Sequence, residues 1–284
     1  MSQTLGYRPA FREALEAAWQ RTGAFLCVGL DPLPERLPES LRALPLAESV
    51  PRFCRDIVAA TARHACVFKP QIAHFAALGL EAELANLIRW IHDEHPEIPV
   101  ILDAKRGDIG STAQLYAREA FERYQADAVT VNPFLGQEGL QPFLDYADRG
   151  TIVLCRTSNP DSAWLQKYPA APAEPAYLRV ARAAAGWNTN GNVMLVAGAT
   201  YPEEIAAIRS AAESVGLLVP GIGAQGGDLA AVFRSGATRD GYGLVVNSSR
   251  GIIYASDQAD YAEAAADVAG GLASEMRELR RGAN

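Results

Sequence analysis

The chain alternates short apolar runs with longer stretches of helical periodicity. Eight runs read as strands: "AFLCVGLD" (24–31), "CVFKP" (66–70), "IPVILDAK" (98–105), "DAVTVNP" (127–133), "GTIVLCRTS" (150–158), "NVMLVAGA" (192–199), "GLLVPGIG" (216–223) and "YGLVVNSS" (242–249). Each is apolar on both faces, as parallel strands shielded by helices are. Between them, Phe75, Leu78, Ala82, Ala85, Ile88 and Ile91 recur at three- and four-residue steps and predict one inward-facing helical stripe. Ser111 with Gln114, and Thr200 with Glu203, have the spacing of capping boxes that open the next helices.

Strand–helix units that repeat eight times with no break in composition predict an α/β protein. A single (β/α)8 TIM barrel spanning 1–284 as one domain fits them better than two doubly wound halves. An extra N-terminal helix near residues 9 to 22 precedes the first strand and is expected to cap the bottom of the barrel. Residues 158–176, "SNPDSAWLQKYPAAPAEPA", break the rhythm. A Pro- and Ala-rich connection of this length is either a lid over the site or a tolerated insertion. Trp164 and Tyr168 within it either cover a bound base or pack the loop onto the barrel.

Composition narrows the picture. At 284 residues, 49% hydrophobic and 21% charged, the chain has the make-up of a globular protein with a large core. A net charge of −7 provides no basic stripe for nucleic acid, and an anionic small substrate would need a local basic site. Cys27, Cys54, Cys66 and Cys155 lie far apart with no C-x-x-C pair, which predicts buried thiols in a reducing compartment. The N-terminus has no apolar signal-peptide core, and no run is long enough to span a bilayer. A cytoplasmic protein with no membrane or nucleic-acid partner is the expectation.

Sites on such barrels sit at the C-terminal ends of the strands, and these ends carry Asp31, Lys69, Asp103 with Lys105, Asn132, Ser158, Gln225 and Arg250. Asp103 and Lys105 are two apart, so an extended strand points both to one side. Lys69, ending a neighbouring strand, reaches the same place. Close opposite charges favour one another's ionised forms. A carboxylate that repels a bound anion, beside an ammonium that delivers a proton, suits decarboxylation. A lone D-x-K is ordinarily a solvated edge or an ion pair. Here it follows a buried-looking strand and is joined by Lys69 and Asp108. "PGIGAQGGD" (220–228), which includes Gln225 and Gly226, places glycines between strand seven and a helix. "NSSRGI" (247–252) ends strand eight with Arg250, and together these two loops suggest a phosphate site. "HDEH" (92–95) tempts a metal reading, but it ends a helix at the opposite face and is expected to be a solvated helix end. No metal site is expected. His64 and His74 are expected to be ordinary surface or packing residues.

"LDAKRGDIGSTA" resembles the D-x-K-x-x-D signature of the orotidine 5′-phosphate decarboxylase family. "VGLDP", "VFKPQIAHF", "VTVNPFLG", "TSNP", "PGIGAQGGD" and "NSSRGI" follow in the matching order, from about residue 24 to 255, in the manner of the longer bacterial subfamily. The resemblance implies a TIM-barrel homodimer that converts orotidine 5′-phosphate to UMP with no metal or organic cofactor. It implies that Asp103 stands against the substrate carboxylate and that Lys105 stabilises and protonates the C6 carbanion. Lys69 holds the carboxylates and contacts the ribose. Asp108, with Ile109 and Thr112, reaches into the partner's site. Asp31 binds ribose hydroxyls, Ser158 the pyrimidine edge, and Gln225, Gly226 and Arg250 the phosphate, while Asn132 lies near the site. The long connection after Ser158 has no close counterpart in the short family members.

Three rivals stand beside this reading. One is a sister decarboxylase of keto sugar phosphates that shares the charged row but needs Mg²⁺. Another is a Schiff-base aldolase using Lys69 or Lys105. The third is a silent phosphate-binding barrel.

Overall fold

The structure, a computed structural model, describes residues 8–169, 173–222 and 228–282. Eight parallel strands appear where the apolar runs stand: β1 Leu26–Leu30, β2 Val67–Pro70, β3 Ile101–Arg106, β4 Ala128–Val131, β5 Gly150–Arg156, β6 Val193–Ala197, β7 Gly216–Pro220 and β8 Leu244–Ser248. Their order is β2-β1-β8-β7-β6-β5-β4-β3. Parallel bridges Phe68↔Val100 and Gln71↔Asp103 join the two ends of that order, which closes the sheet into a (β/α)8 barrel. β1, β2, β4, β6 and β8 are buried at every residue, which is why their sequences run apolar without alternation. β3 differs: it is buried through Asp103 and then emerges at Ala104, Lys105 and Arg106.

The N-terminal helix, Phe11–Thr22, lies across the bottom of the barrel. The Phe11 N–H donates to Asp148 O, and the Phe11 ring occupies the space a Cβ on Gly150 would need, at the first residue of β5. Trp19 stacks on Tyr242 just before β8, with ring centroids 5.7 Å apart. Gly23 ends the helix at φ 64°, a left-handed conformation that glycine adopts without a Cβ clash, and its N–H returns to Trp19 O at 2.9 Å.

Several local expectations need correction. The stripe from Phe75 to Ile91 is two helices, Ala73–Ala76 and Glu81–Glu94, broken at Gly79. The long helix buries Leu84, Leu87, Ile88 and Ile91, while Ala82 is exposed, so the inward face is rotated from the one expected. Neither capping box forms. Ser111 sits inside the helix Gly110–Arg118 behind an N-cap at Ile109, and Thr200 lies one residue before the N-cap Tyr201 of Pro202–Ala211.

His92 is not a solvated helix end either: its side chain is 8% exposed, with Nε2 2.9 Å from Asp127 Oδ2. Arg8, Arg149 and the Val100 N–H also bond Asp127, and this network ties the N-terminal segment to the bottom of β3 and β4. His64 accepts from its neighbour Arg63, and His74 Nδ1 lies 2.9 Å from Pro32 O in the loop after β1. The four cysteines are buried and free. Burial pushes the thiols of Cys27 and Cys155 up to about 12.

Candidate active site

At the mouth of the barrel, β2 and β3 bring three charges together. Lys69, 4% exposed, donates from Nζ to Asp103 Oδ2 at 2.9 Å. Lys105 donates to Asp103 Oδ1 at 2.6 Å, and its side chain is 46% exposed toward the mouth. The Asp103 carboxylate therefore has an ammonium on each oxygen, one buried beneath it and one open to a ligand. Burial raises its pKa and favours the neutral form, but Lys69 and Lys105 together outweigh burial and hold the pKa well below the usual carboxylate range. Burial opposes the charge on Lys69, and Asp103 and then Asp31 reverse that effect, so its ammonium form is held above the ordinary lysine value.

The pleat of an extended strand does not produce the Asp103–Lys105 pairing. β3 is not extended there: Lys105 has φ 49°, in the left-handed region, and the β3–β4 register slips between Leu102 and Arg106. The pair meets across a bulge rather than by the two-residue pleat. Arg106 leaves the cluster altogether. It forks onto Glu119 at 2.8 and 3.2 Å and lies over the Tyr116 ring, so one of the four charges in "DAKRGD" is structural.

Asp108 does not join the cluster within its own chain. Its Oδ1 accepts the Ile109 N–H at 2.8 Å, and among the described residues it makes no ion pair. Ile109 and Thr112 are exposed beside it at the start of the helix Gly110–Arg118. Asp31 follows β1, and its Oδ1 is buried with no partner among the described residues, an acceptor open to a hydroxyl donor.

Asn132 is a cap: its side chain accepts the Phe134 N–H at 3.0 Å. Ser158 follows β5, half-buried, and its backbone packs on Gly198, where a Cβ would stand 2.7 Å from Ser158 N. Arg250 opens the turn after β8 and is exposed. Gln225 and Gly226 lie outside the described residues.

Two groups escaped the reading of the sequence. Thr130 of β4, 1% exposed, donates to Asp103 Oδ1 at 2.9 Å. Arg156, 1% exposed at the end of β5, pairs with Glu204, donates to Ser162, and reaches Gln166 Oε1 at 3.2 Å. That network folds back the connection that carries Ser158. For Arg156 the available signal was a charge at the end of an apolar strand, because such a group needs a buried partner; Thr130 gave no such signal, since threonine is itself a strand former.

The class follows from these positions: a (β/α)8 barrel whose C-terminal mouth holds a buried carboxylate between two lysines, the arrangement of an enzyme site. The profile of the Orotidine 5′-phosphate decarboxylase / HUMPS family matches residues 24–265. Among similar proteins, the orotidine 5′-phosphate decarboxylase of Ralstonia pickettii (strain 12J) is 54% identical, covering 95% of this chain and 99% of that protein. That of Cupriavidus necator is 56% identical, covering 91% and 94%. The solved structure of Leishmania donovani OMP decarboxylase superposes with a TM-score of 0.82 at 37% identity, covering 96% of this chain and 99% of that one. The chain belongs to the orotidine 5′-phosphate decarboxylase / HUMPS family.

Proposed function

We infer that this barrel removes the carboxylate of orotidine 5′-phosphate and releases UMP, a step of pyrimidine biosynthesis. Family membership and the names of relatives more than 50% identical support the reaction. The single observation that supports the chemistry at the site is the ionised Asp103 carboxylate held between Lys69 and Lys105.

In this reading the substrate carboxylate is forced against Asp103, and the repulsion is relieved as the bond to CO₂ breaks. The electron pair left on C6 faces the Lys105 ammonium, which stabilises it and then donates the proton. Asp103 and Lys105 are already in place and charged, so little reorganisation accompanies carbanion formation. Phosphate and ribose contacts lie away from the breaking bond, and their binding energy holds the substrate in its repulsive position. Lys69 fixes Asp103 and contacts the ribose, while the open Oδ1 of Asp31 takes a ribose hydroxyl. Ser158 reads the pyrimidine edge, and Gln225, Gly226 and Arg250 hold the phosphate. Asn132 borders the site, its amide oxygen already engaged in its own turn. No metal or organic cofactor has a role in this sequence of steps.

The chain acts as one domain in a cytoplasmic homodimer. Ile109, Leu115, Phe134 and Leu135 are exposed apolar side chains, with Phe134 75% exposed. They lie on or beside the helices Gly110–Arg118 and Gly136–Leu144, which pack together. An apolar face of this kind supports self-association. It adjoins Asp108 and Thr112, which in the dimer enter the partner's mouth with Ile109 and complete the charged row.

The test is the loss of orotidine 5′-phosphate absorbance with purified protein in excess EDTA, with UMP identified as product. Metal-free turnover is the expected result. No turnover of this substrate, with turnover of a keto sugar phosphate once Mg²⁺ is restored, would overturn the reading.

A further inference from the structure

The bulge in β3 leaves a problem that one side chain solves. Between Leu102 and Arg106 the register with β4 slips, and there the N–H groups of Ala104 and Lys105 meet a side chain of β4, the hydroxyl of Thr130. Lys105 is also held at φ 49°, a left-handed conformation that is unfavourable for a residue with a Cβ and persists only where its surroundings enforce it. Both N–H groups donate to the Thr130 hydroxyl, each at 3.0 Å. The same hydroxyl donates its single proton to Asp103 Oδ1 at 2.9 Å. A hydroxyl has one proton and two lone pairs, so Thr130 is saturated by these three bonds.

The direction of that proton is therefore fixed. With both lone pairs occupied by backbone amides, the O–H points at the carboxylate and at nothing else. Oδ1 is the oxygen that also receives the Lys105 ammonium, at 2.6 Å. One side chain thus sets the backbone of Lys105, through its amide, and the orientation of Asp103, through its carboxylate. Thr130 is 1% exposed within β4, so its hydroxyl acts through these two residues rather than on a ligand.

We propose that Thr130 is the positioning residue of this site: its hydroxyl locks the β3 bulge and aims the Asp103 carboxylate, setting the approach of Asp103 and Lys105 to the reacting carbon. The proposal rests on the reading of Asp103 and Lys105 as the reacting pair. Thr130→Val keeps the shape of the side chain and removes the hydroxyl, leaving two amides unpaired and Oδ1 one donor short. Among the described residues Thr130 bonds none of the proposed phosphate or ribose contacts, only Asp103 and the amides of Ala104 and Lys105, so the loss falls on the chemical step.

The experiment compares kcat and KM for orotidine 5′-phosphate in wild type, Thr130→Val, Thr130→Ser and Lys105→Ala, each checked for folding by circular dichroism. The Val variant is expected to lose about 10- to 100-fold in kcat, the scale of a small misplacement of reacting groups, with KM nearly unchanged. Thr130→Ser, which keeps the hydroxyl, is expected to restore most of kcat. A folded Val variant with wild-type kcat would overturn the proposal, as would a Ser variant as slow as Val, or a Val effect confined to KM. If Val does not fold, Thr130→Cys, a weaker donor and acceptor in the same place, is expected to lower kcat at wild-type KM. Wild-type kcat in Cys would then overturn it. The Lys105→Ala control separates the two levels. Full activity there removes the reacting pair and this proposal with it, whereas an inactive Lys105→Ala beside a fully active Thr130→Val removes only the role of Thr130.

Discussion

At the scale of residues, the mouth of the barrel is organised around a single carboxylate. Asp103 has two ammonium partners and one hydroxyl, and this crowd keeps it ionised in spite of its burial. The sign of the pH effect follows. Its folded pKa is depressed, so its stabilisation is present above the ordinary aspartate value of about 3.9 and is lost as pH falls through the lower folded value. Lys69 is shifted the other way: its contribution is complete below about 10.4 and is lost as pH rises through its higher folded value. The difference in unfolding free energy between wild type and Asp103→Asn, read from urea titrations, should stay constant from pH 7 to pH 5 and change below about pH 4. A change between pH 7 and pH 5 would mean that Asp103 takes up its proton there and is not held ionised by the lysines. Lys69 and Asp103 were both legible in the sequence, because each follows an apolar strand and they stand together with Lys105 and Asp108, which a lone surface charge does not. Thr130 was not, since a threonine inside "AVTV" reads as one more β-branched strand residue.

At the scale of elements, β5 and its following connection show how buried polar pairs shape a binding edge. Arg156 and Glu204 are both buried, and Lys167 adds a second cation on Glu204 at 3.0 Å. Removing one partner of such a pair leaves a charge uncompensated, so Glu204→Gln should cost about 3–5 kcal/mol of unfolding free energy by urea titration. A loss within about 0.5 kcal/mol, the range of an ordinary surface change, would show that the pair is not structural. Gly198→Ala should act more locally. Its new Cβ meets the Ser158 backbone at 2.7–2.8 Å, so Ser158 must move. A raised KM for the nucleotide, with destabilisation of about 1–3 kcal/mol, is expected. An unchanged KM would detach Ser158 from substrate binding. The strands were legible here because burial on both faces leaves an uninterrupted apolar run. The helix starts were not: Ser111 and Thr200 have the right spacing, yet the chain begins each helix one or two residues away from them, at backbone turns with no side-chain cap.

At the scale of the whole molecule, the order of strands places every proposed contact among the described residues at one end of the barrel, while the N-terminal helix and the Asp127 network close the other. Barrel topology was readable from eight repeated units. A quaternary arrangement was not, because a surface leucine or phenylalanine has the same letter whether water or a second chain covers it. Asp108 makes the question concrete: it belongs to the charged signature but stays out of the cluster in its own chain. In the proposed function, Asp103, Lys105 and Lys69 of one chain work with Asp108 of a second. The most direct measurement is the activity of Lys105→Ala and Asp108→Ala proteins, alone and after unfolding and refolding as an equal mixture. Each alone should be inactive. In the mixture half the dimers are hybrids, and each hybrid has one intact site, so about a quarter of wild-type activity should return. Activity in Lys105→Ala alone would contradict the assigned chemistry, and two inactive variants with no recovery in the mixture would contradict the shared site.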